Sequence, residues 1–238
     1  MAMVARKTSN TRWDPKFDDK PHSGPHSRFA KKFSSKYLDR ADYILDAGCG
    51  VGNYLHMIDR KGCFGVDLDR YAVGTANKYC VNSNFLIASV LDLPFRDNAF
   101  NVVTIFEVIE HLPAGTEKRA IAEIRRILNS FGIILLSTPN HHFLCNIMDP
   151  AFLLYGHRHY KIKKLMELII DVGFSVEEYV IRGGLSRLLS QNIFYFNKHI
   201  LHRRGGKIQD FLDDKSDKEL NSNKEGNVDI FIAARKTN

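Results

Sequence analysis

The stretch Ile44-Leu45-Asp46-Ala47-Gly48-Cys49-Gly50-Val51-Gly52 runs from a short apolar strand into a glycine-rich turn, and a helical pattern, Asn53–Arg60, follows it. Glycines at 48, 50 and 52 let the backbone bend sharply and approach a ligand that side chains would exclude. Their G-x-G-x-G spacing differs from the dinucleotide pattern G-x-G-x-x-G, which argues against NAD. A second apolar run closes in Gly65-Val66-Asp67, 21 residues beyond Asp46. Asp67 can accept hydrogen bonds from both hydroxyls of a ribose, the role that nucleotide-binding α/β folds give an acid about 20 residues on.

Outward from this unit, strand and helix patterns alternate. Phe29, Phe33 and Tyr37 recur every four residues and predict a helix over Ser27–Leu38. Strands are expected at Tyr43–Asp46, Cys63–Val66, Phe85–Ala88, Val102–Phe106 and Ile133–Ser137, with helices at Arg70–Tyr79 and Thr116–Leu128. Such an order implies a parallel sheet with helices on both faces. The later half departs from it. His141–His159 reads as irregular, Tyr160–Val172 as a helix, and Ser175–Ile181 and Asp229–Ala234 as strands. Arg182–Asn227 forms a long insertion whose second part, DFLDDKSDKELNSNKEGN, is polar and mixed in charge and is expected to be disordered.

A chain of 238 residues with 44% hydrophobic and 26% charged residues suits one α/β domain with decorations. Its net charge of +7 permits an acidic partner without requiring one. Cys49, Cys63, Cys80 and Cys145 form no C-x-x-C pair and no zinc spacing, as suits a reducing compartment. The polar start lacks the apolar core of a secretory signal, and no stretch reaches the roughly 18 apolar residues of a membrane span. A cytoplasmic location is expected, with contact at a membrane surface left open.

DAGCGVG, GVDLD, LDLPFRDNAFNVV and FGIILLSTPN, in that order over residues 40–182, resemble the class I S-adenosylmethionine (SAM)-dependent methyltransferases. The resemblance implies a Rossmann-like, doubly wound, seven-stranded and mostly parallel sheet with an antiparallel last strand, for which Asp229–Ala234 is the candidate. It implies that SAM is held by Asp46, Gly48, Cys49, Gly50 and Gly52 at the methionine end. Asp67 would hold the ribose, Leu68, Ser89 and Val90 would lie near the adenine, and Glu107 would complete the site. Ser89 stands where many relatives carry Asp, and Asn101 stands where Asp commonly follows the Phe and is read as structural. The domain then spans 40–238 behind an arm and helix at 1–39, with an acceptor-side insertion at 140–159 and a basic, flexible one at 182–227.

Strand four ends in Phe106-Glu107-Val108-Ile109-Glu110-His111-Leu112. Glu110 and His111 are the expected catalytic pair, since an imidazole is a suitable base for an acceptor hydroxyl. Glu-x-x-Glu-His with a later His also resembles the metal site of small-RNA 2′-O-methyltransferases and quinone-biosynthesis O-methyltransferases. That resemblance implies a divalent ion (Mg, Mn or Zn) on Glu107, Glu110, His111 and His157 or His159. The bland alternative is an acceptor-pocket role without metal. His157 and His159, as alternate residues of an extended segment, are expected to share a face, while His141 and His142 read equally as loop residues.

Arg182–Lys207 carries six basic residues and no acidic one, with Leu185, Leu188, Leu189, Ile193, Phe196 and Ile200 at helical spacing. A basic amphipathic helix over 185–207 can touch an anionic membrane. The simpler reading packs the stripe onto the sheet domain or a twin subunit as ordinary core. O-methylation of a small or lipid-associated hydroxyl is the leading expectation. An RNA 2′-O-methyltransferase is the rival, weakened by the absence of a base-stacking platform, and a non-catalytic SAM-binding subunit is the third reading.

Overall fold

Ile44–Ala47 (β1) is buried along its whole length because parallel strands flank it on both sides. The computed structural model describes residues 17–149, 152, 156–202 and 205–237. The sheet continues with Cys63–Asp67 (β2), Ser83–Ile87 (β3), Phe100–Phe106 (β4), Leu128–Pro139 (β5), Phe174–Arg182 (β6) and Asp229–Lys236 (β7). Its seven strands run in the order β3-β2-β1-β4-β5-β7-β6. The first five strands are parallel, and β7 is antiparallel to both β5 and β6. This is the expected Rossmann-like sheet. Strand order reverses between β1 and β4, so a ligand crevice opens at their carboxyl ends.

Alternation across the pleat divides the core in two. On one face Ile44, Val102, Leu135, Phe231 and Ala233 meet Phe29, Ala30 and Phe33 of Pro25–Leu38 (α1) and Tyr54 and Leu55 of Asn53–Ile58 (α2). Pro25 starts α1 two residues before the aromatic periodicity shows it, because its fixed φ suits a first helical turn. Arg70–Tyr79 (α3) follows β2, with the Asp69 carboxylate accepting from the amides of Tyr71 and Ala72. On the other face Leu45, Val103, Ile105, Leu136 and Ile232 meet Ile121 and Ile124 of Glu117–Ile127 (α4). Phe143–Met148 (α5) is a short helix inside the segment expected to be irregular, and Ile162–Asp171 (α6) adds Leu165 and Ile169 to the second face.

Two expectations for residues 182–227 are corrected. Lys207–Asn221 (α8) is a helix, where disorder was expected from its composition. Its stability comes from tertiary contacts: Leu220 joins the α1 side of the core, and Asp217 pairs with Arg28. The Glu219 carboxylate accepts from the amides of Gly184, Ser186 and Arg187, each at 3.0 Å, and so caps the start of Leu185–His199 (α7). Replacing Glu219 with alanine is expected to cost about 2 kcal/mol, since three amides lose their acceptor. A fall in the melting temperature by circular dichroism checks this.

The apolar stripe of α7 is not core. Leu188 is buried, but Leu185, Leu189, Phe196 and Ile200 are exposed, while Arg187, Ser190, Asn197 and Lys198 are buried. Burying those polar groups is tolerated because partners await them inside. Arg187 meets Asp229, Ser190 donates to Asp213, and Lys198 lies 2.7 Å from Asp18. Phe17 packs edge-on against Phe194 and ties the chain ahead of α1 to α7. Residues 1–16 of the expected arm lie outside the described residues, as do 150, 151 and 153–155 of the 140–159 insertion and 203–204. Among the described residues no helix is long and apolar enough to cross a membrane.

Candidate active site

Gly48, Gly50 and Gly52 all adopt positive φ, at 86°, 53° and 85°. A Cβ added to Gly48 would fall 2.4 Å from Val108 Cγ2, so the turn after β1 lies directly against the turn after β4. The Val66 carbonyl accepts from the amides of Gly48 and Cys49 and pins the loop to β2. Cys49 is buried, and burial, with the nearby Asp46 and Asp67, pushes its thiol well above the usual range. Asp67, also buried, accepts from Gly50 N–H through one oxygen and from Asp69 N–H through the other, each at 2.9 Å. A carboxylate offers about four acceptor positions, so two hydroxyls can still be received. Leu68 beside it is exposed, Val90 is buried, and the Ser89 hydroxyl accepts from Leu91 N–H.

Asp46, one residue before the end of β1, has its carboxyl buried and accepting from Thr104 Oγ1 at 2.7 Å. Burial pushes it up to about 7, against the pull of the Thr104 hydrogen bond and with the push of the Asp67 charge.

The turn after β4 separates two polar clusters. Glu107 has φ +55°, an uncommon conformation for a residue with a side chain, and its amide donates to the Ser137 carbonyl. Its carboxylate accepts from Ser137 Oγ at 3.0 Å and lies 3.3 Å from His26 Nε2. Burial works to raise this carboxyl, but His26, the Arg187 guanidinium and the Ser137 hydroxyl hold it down at about 2. Arg187 donates to Asp229 at 2.8 Å, and the Asp229 and Glu107 carboxylates keep it charged despite its burial. Ser137 and Asp229 continue the face that carries Leu135, Phe231 and α1.

Glu110 and His111 lie across the turn. Glu110 is buried and accepts from Thr138 Oγ1 at 3.0 Å, with its other oxygen 3.7 Å from His111 Nε2. His157 brings its ring edge-on to that of His111, with centroids 4.1 Å apart. Tyr160 and Arg158 both donate to the Ile109 carbonyl and hold the turn. His159 does not share the face of His157: it is buried between Asn146 and Asp149. His142 caps α5 through Leu144 N–H, and Asn101 accepts from the amides of Asp42 and Tyr43 ahead of β1.

Glu110, His111 and His157 are thus brought together, whereas Glu107 turns to His26 on the other side. The four residues expected to bind a metal are not gathered into one ligand set. Among the described residues, the ligand-type groups that do converge are His26, Glu107 and Asp229, within 4.8 Å of one another. There the buried guanidinium of Arg187 already balances the carboxylates, and a divalent cation would be set against it. The residues present do not fit the expected ion.

Sequence reasoning missed His26, Ser137, Arg187 and Asp229. They come from α1, β5, α7 and β7, so no spacing links them. The one readable signal was the row of polar residues opposite the α7 stripe.

Comparison with known proteins supports the fold. Residues 45–136 match the family model of a methyltransferase domain. A probable SAM-dependent methyltransferase of Mycobacterium tuberculosis is 31% identical over 133 residues, 55% of this chain and 48% of that protein. The chain therefore spans about half the length of the curated relatives it matches. Among solved structures, a Thermotoga maritima SAM-dependent methyltransferase described as a possible histamine N-methyltransferase superposes with a TM-score of 0.61 at 18% identity, covering 89% of each chain. The [4+2]-cyclase SpnF superposes with a TM-score of 0.63 at 18% identity, covering 88% of this chain and 80% of that one. A methyltransferase and a cyclase share the fold, so the fold alone does not fix the reaction.

Proposed function

We propose that this chain, which carries a domain of the class I SAM-dependent methyltransferase family, transfers a methyl group to a hydroxyl oxygen of a small or lipid-associated acceptor. The carrying observation is the three-glycine turn at the β1/β4 switch, wired to β2 through Gly50 N–H and the Asp67 carboxylate. The residues fit the cofactor. A Cβ at Gly48 would close the turn, Asp67 keeps acceptor capacity, and among the described residues no cationic group offsets the burial of Asp46. Bound SAM supplies an electrophilic methyl on a sulfonium sulfur.

In this reading Asp67 grips the ribose, Leu68, Ser89 and Val90 border the adenine, and Asp46, Cys49, the glycine turn and Glu107 surround the methionine end. His111 takes the acceptor's proton as the oxygen–methyl bond forms and the sulfur–methyl bond breaks. Buried Glu110 orients His111 and stabilises the imidazolium that results. No step is assigned to a metal.

Asp46 gives this reading a pH signature. Its folded pKa is raised from 3.8 to about 7, so near pH 6 it is mostly protonated. An ammonium group beside it favours the carboxylate, so SAM affinity is expected to rise about tenfold between about pH 6 and 8 and then level off. Titration calorimetry across that range checks it, and Asp46→Asn should flatten the profile.

The reaction itself is tested by incubating the chain with tritiated SAM and cell extract, then separating lipid, RNA and small molecules. Label in the lipid or small-molecule fraction, held as a methyl ether, is the expected result. Label chiefly in RNA, or bound to nitrogen or carbon, would overturn the acceptor assignment while leaving the methyltransferase reading intact.

A further inference from the structure

Helix α7 is amphipathic with its faces reversed. At 3.6 residues per turn, Leu185, Leu189, Phe196 and Ile200 fall within about 60° of one another. All four are exposed, with Phe196 at 50% and Ile200 at 64%. The roughly opposite face carries Arg187, Ser190, Asn197 and Lys198, all buried. The stripe continues past the helix end, where Leu201 is exposed and Ile208 (67%) and Phe211 (57%) stand exposed on the first turns of α8. Monomeric proteins rarely leave so many large apolar side chains in water without a partner.

The sequence between these residues says what kind of partner. The stretch 198–207, KHILHRRGGK, has four Lys and Arg and no acid. Lys198 is committed to Asp18, so among the described residues the basic component is Lys207, and the sequence adds Arg203 and Arg204 between the two helices. Most acids of α8 are engaged elsewhere: Asp213 with Ser190 and Gln209, Asp214 with Lys218, Asp217 with Arg28, and Glu219 with the α7 amides. Two copies joined through this face would bring like charges together, and the whole chain is already at +7. Apolar side chains interleaved with cations match the headgroup boundary of an anionic bilayer.

We infer that the end of α7 and the start of α8 form a membrane-docking surface, with Phe196, Ile200, Leu201, Ile208 and Phe211 entering the acyl boundary of an anionic lipid leaflet. The inference deepens the lipid-associated branch of the proposed function but does not depend on methyl transfer.

Flotation of the full chain tests it, with vesicles of phosphatidylcholine containing about a third phosphatidylglycerol set against phosphatidylcholine alone. The chain is expected to float with the anionic vesicles, and less as salt rises. The F196D/I200D double substitution should lower that association about tenfold or more, because both side chains would have to carry charge into the interface. K207E should weaken it on anionic vesicles and leave any residual association with phosphatidylcholine unchanged. SAM binding and the circular dichroism spectrum should stay as in the unsubstituted chain, which separates lost docking from lost folding or a failed cofactor assignment. No association with anionic vesicles at low salt, or undiminished association of F196D/I200D, would overturn the inference. So would a concentration-dependent dimer, or RNA binding, that the double substitution abolishes while vesicles are ignored.

Discussion

Alanine at Asp67 is expected to weaken SAM binding by about 100-fold or more, measured by calorimetry at saturating protein. Two ribose hydroxyls donating to one carboxylate are charge-assisted bonds worth about 1.5–3 kcal/mol each, and their joint loss amounts to about two decades or more. The same carboxylate also receives Gly50 N–H and Asp69 N–H, so the empty site loosens as well. Asp67→Asn separates the two effects. Its remaining amide oxygen can still accept, so it should keep more of the fold's stability than of the affinity. Unchanged SAM affinity in Asp67→Ala would contradict the ribose assignment and, with it, the cofactor site.

Removing the imidazole of His111 is expected to cost about 10²–10⁴-fold in kcat. SAM affinity should hold within about twofold, because His111 faces Glu110 and His157 rather than the glycine turn. His26→Gln is the informative companion. His26 lies in the second cluster, between Ser137 and Glu107, where it helps hold the Glu107 carboxyl down at about 2. If kcat collapses in His26→Gln and survives in His111→Ala, the proton leaves on the α1 side of the turn and the roles assigned to Glu110 and His111 fail.

Glu107 carries a stability consequence of its own. Its folded pKa lies below the ordinary carboxylate value, so its pairing stabilises the fold above about pH 4.5, and that contribution is lost as pH falls toward 2. Arg187 lies in the same environment and helps hold the Glu107 carboxyl down, so acid is expected to loosen the α1–α7 side of the site.

The parts legible from sequence are those made by residues close together in the chain. β1, the glycine turn, α2 and β2 form one strand–helix–strand unit. The three glycines and Asp67 therefore stand out by spacing, Asp46 only through the family resemblance, and sterics at positive φ explain the glycines. Alternating apolar runs likewise yield the parallel sheet, whereas its antiparallel closing strand follows only from the family resemblance. Tertiary structure decided the rest. α8 is too polar to foresee as ordered, and it holds because Glu219 caps a helix more than 30 residues earlier in the chain and Asp217 meets Arg28. Placing β7 between β5 and β6 sets the Asp229 carboxylate near the His26 imidazole and the Glu107 carboxylate, and only then is there a buried carboxylate to draw Arg187 inward. With Arg187 and Lys198 anchored inside, the leucine stripe of α7 must face outward. Hydrophobic periodicity marks a helix's two faces, but which face turns inward depends on where buried partner charges lie, and those are fixed only when distant segments meet.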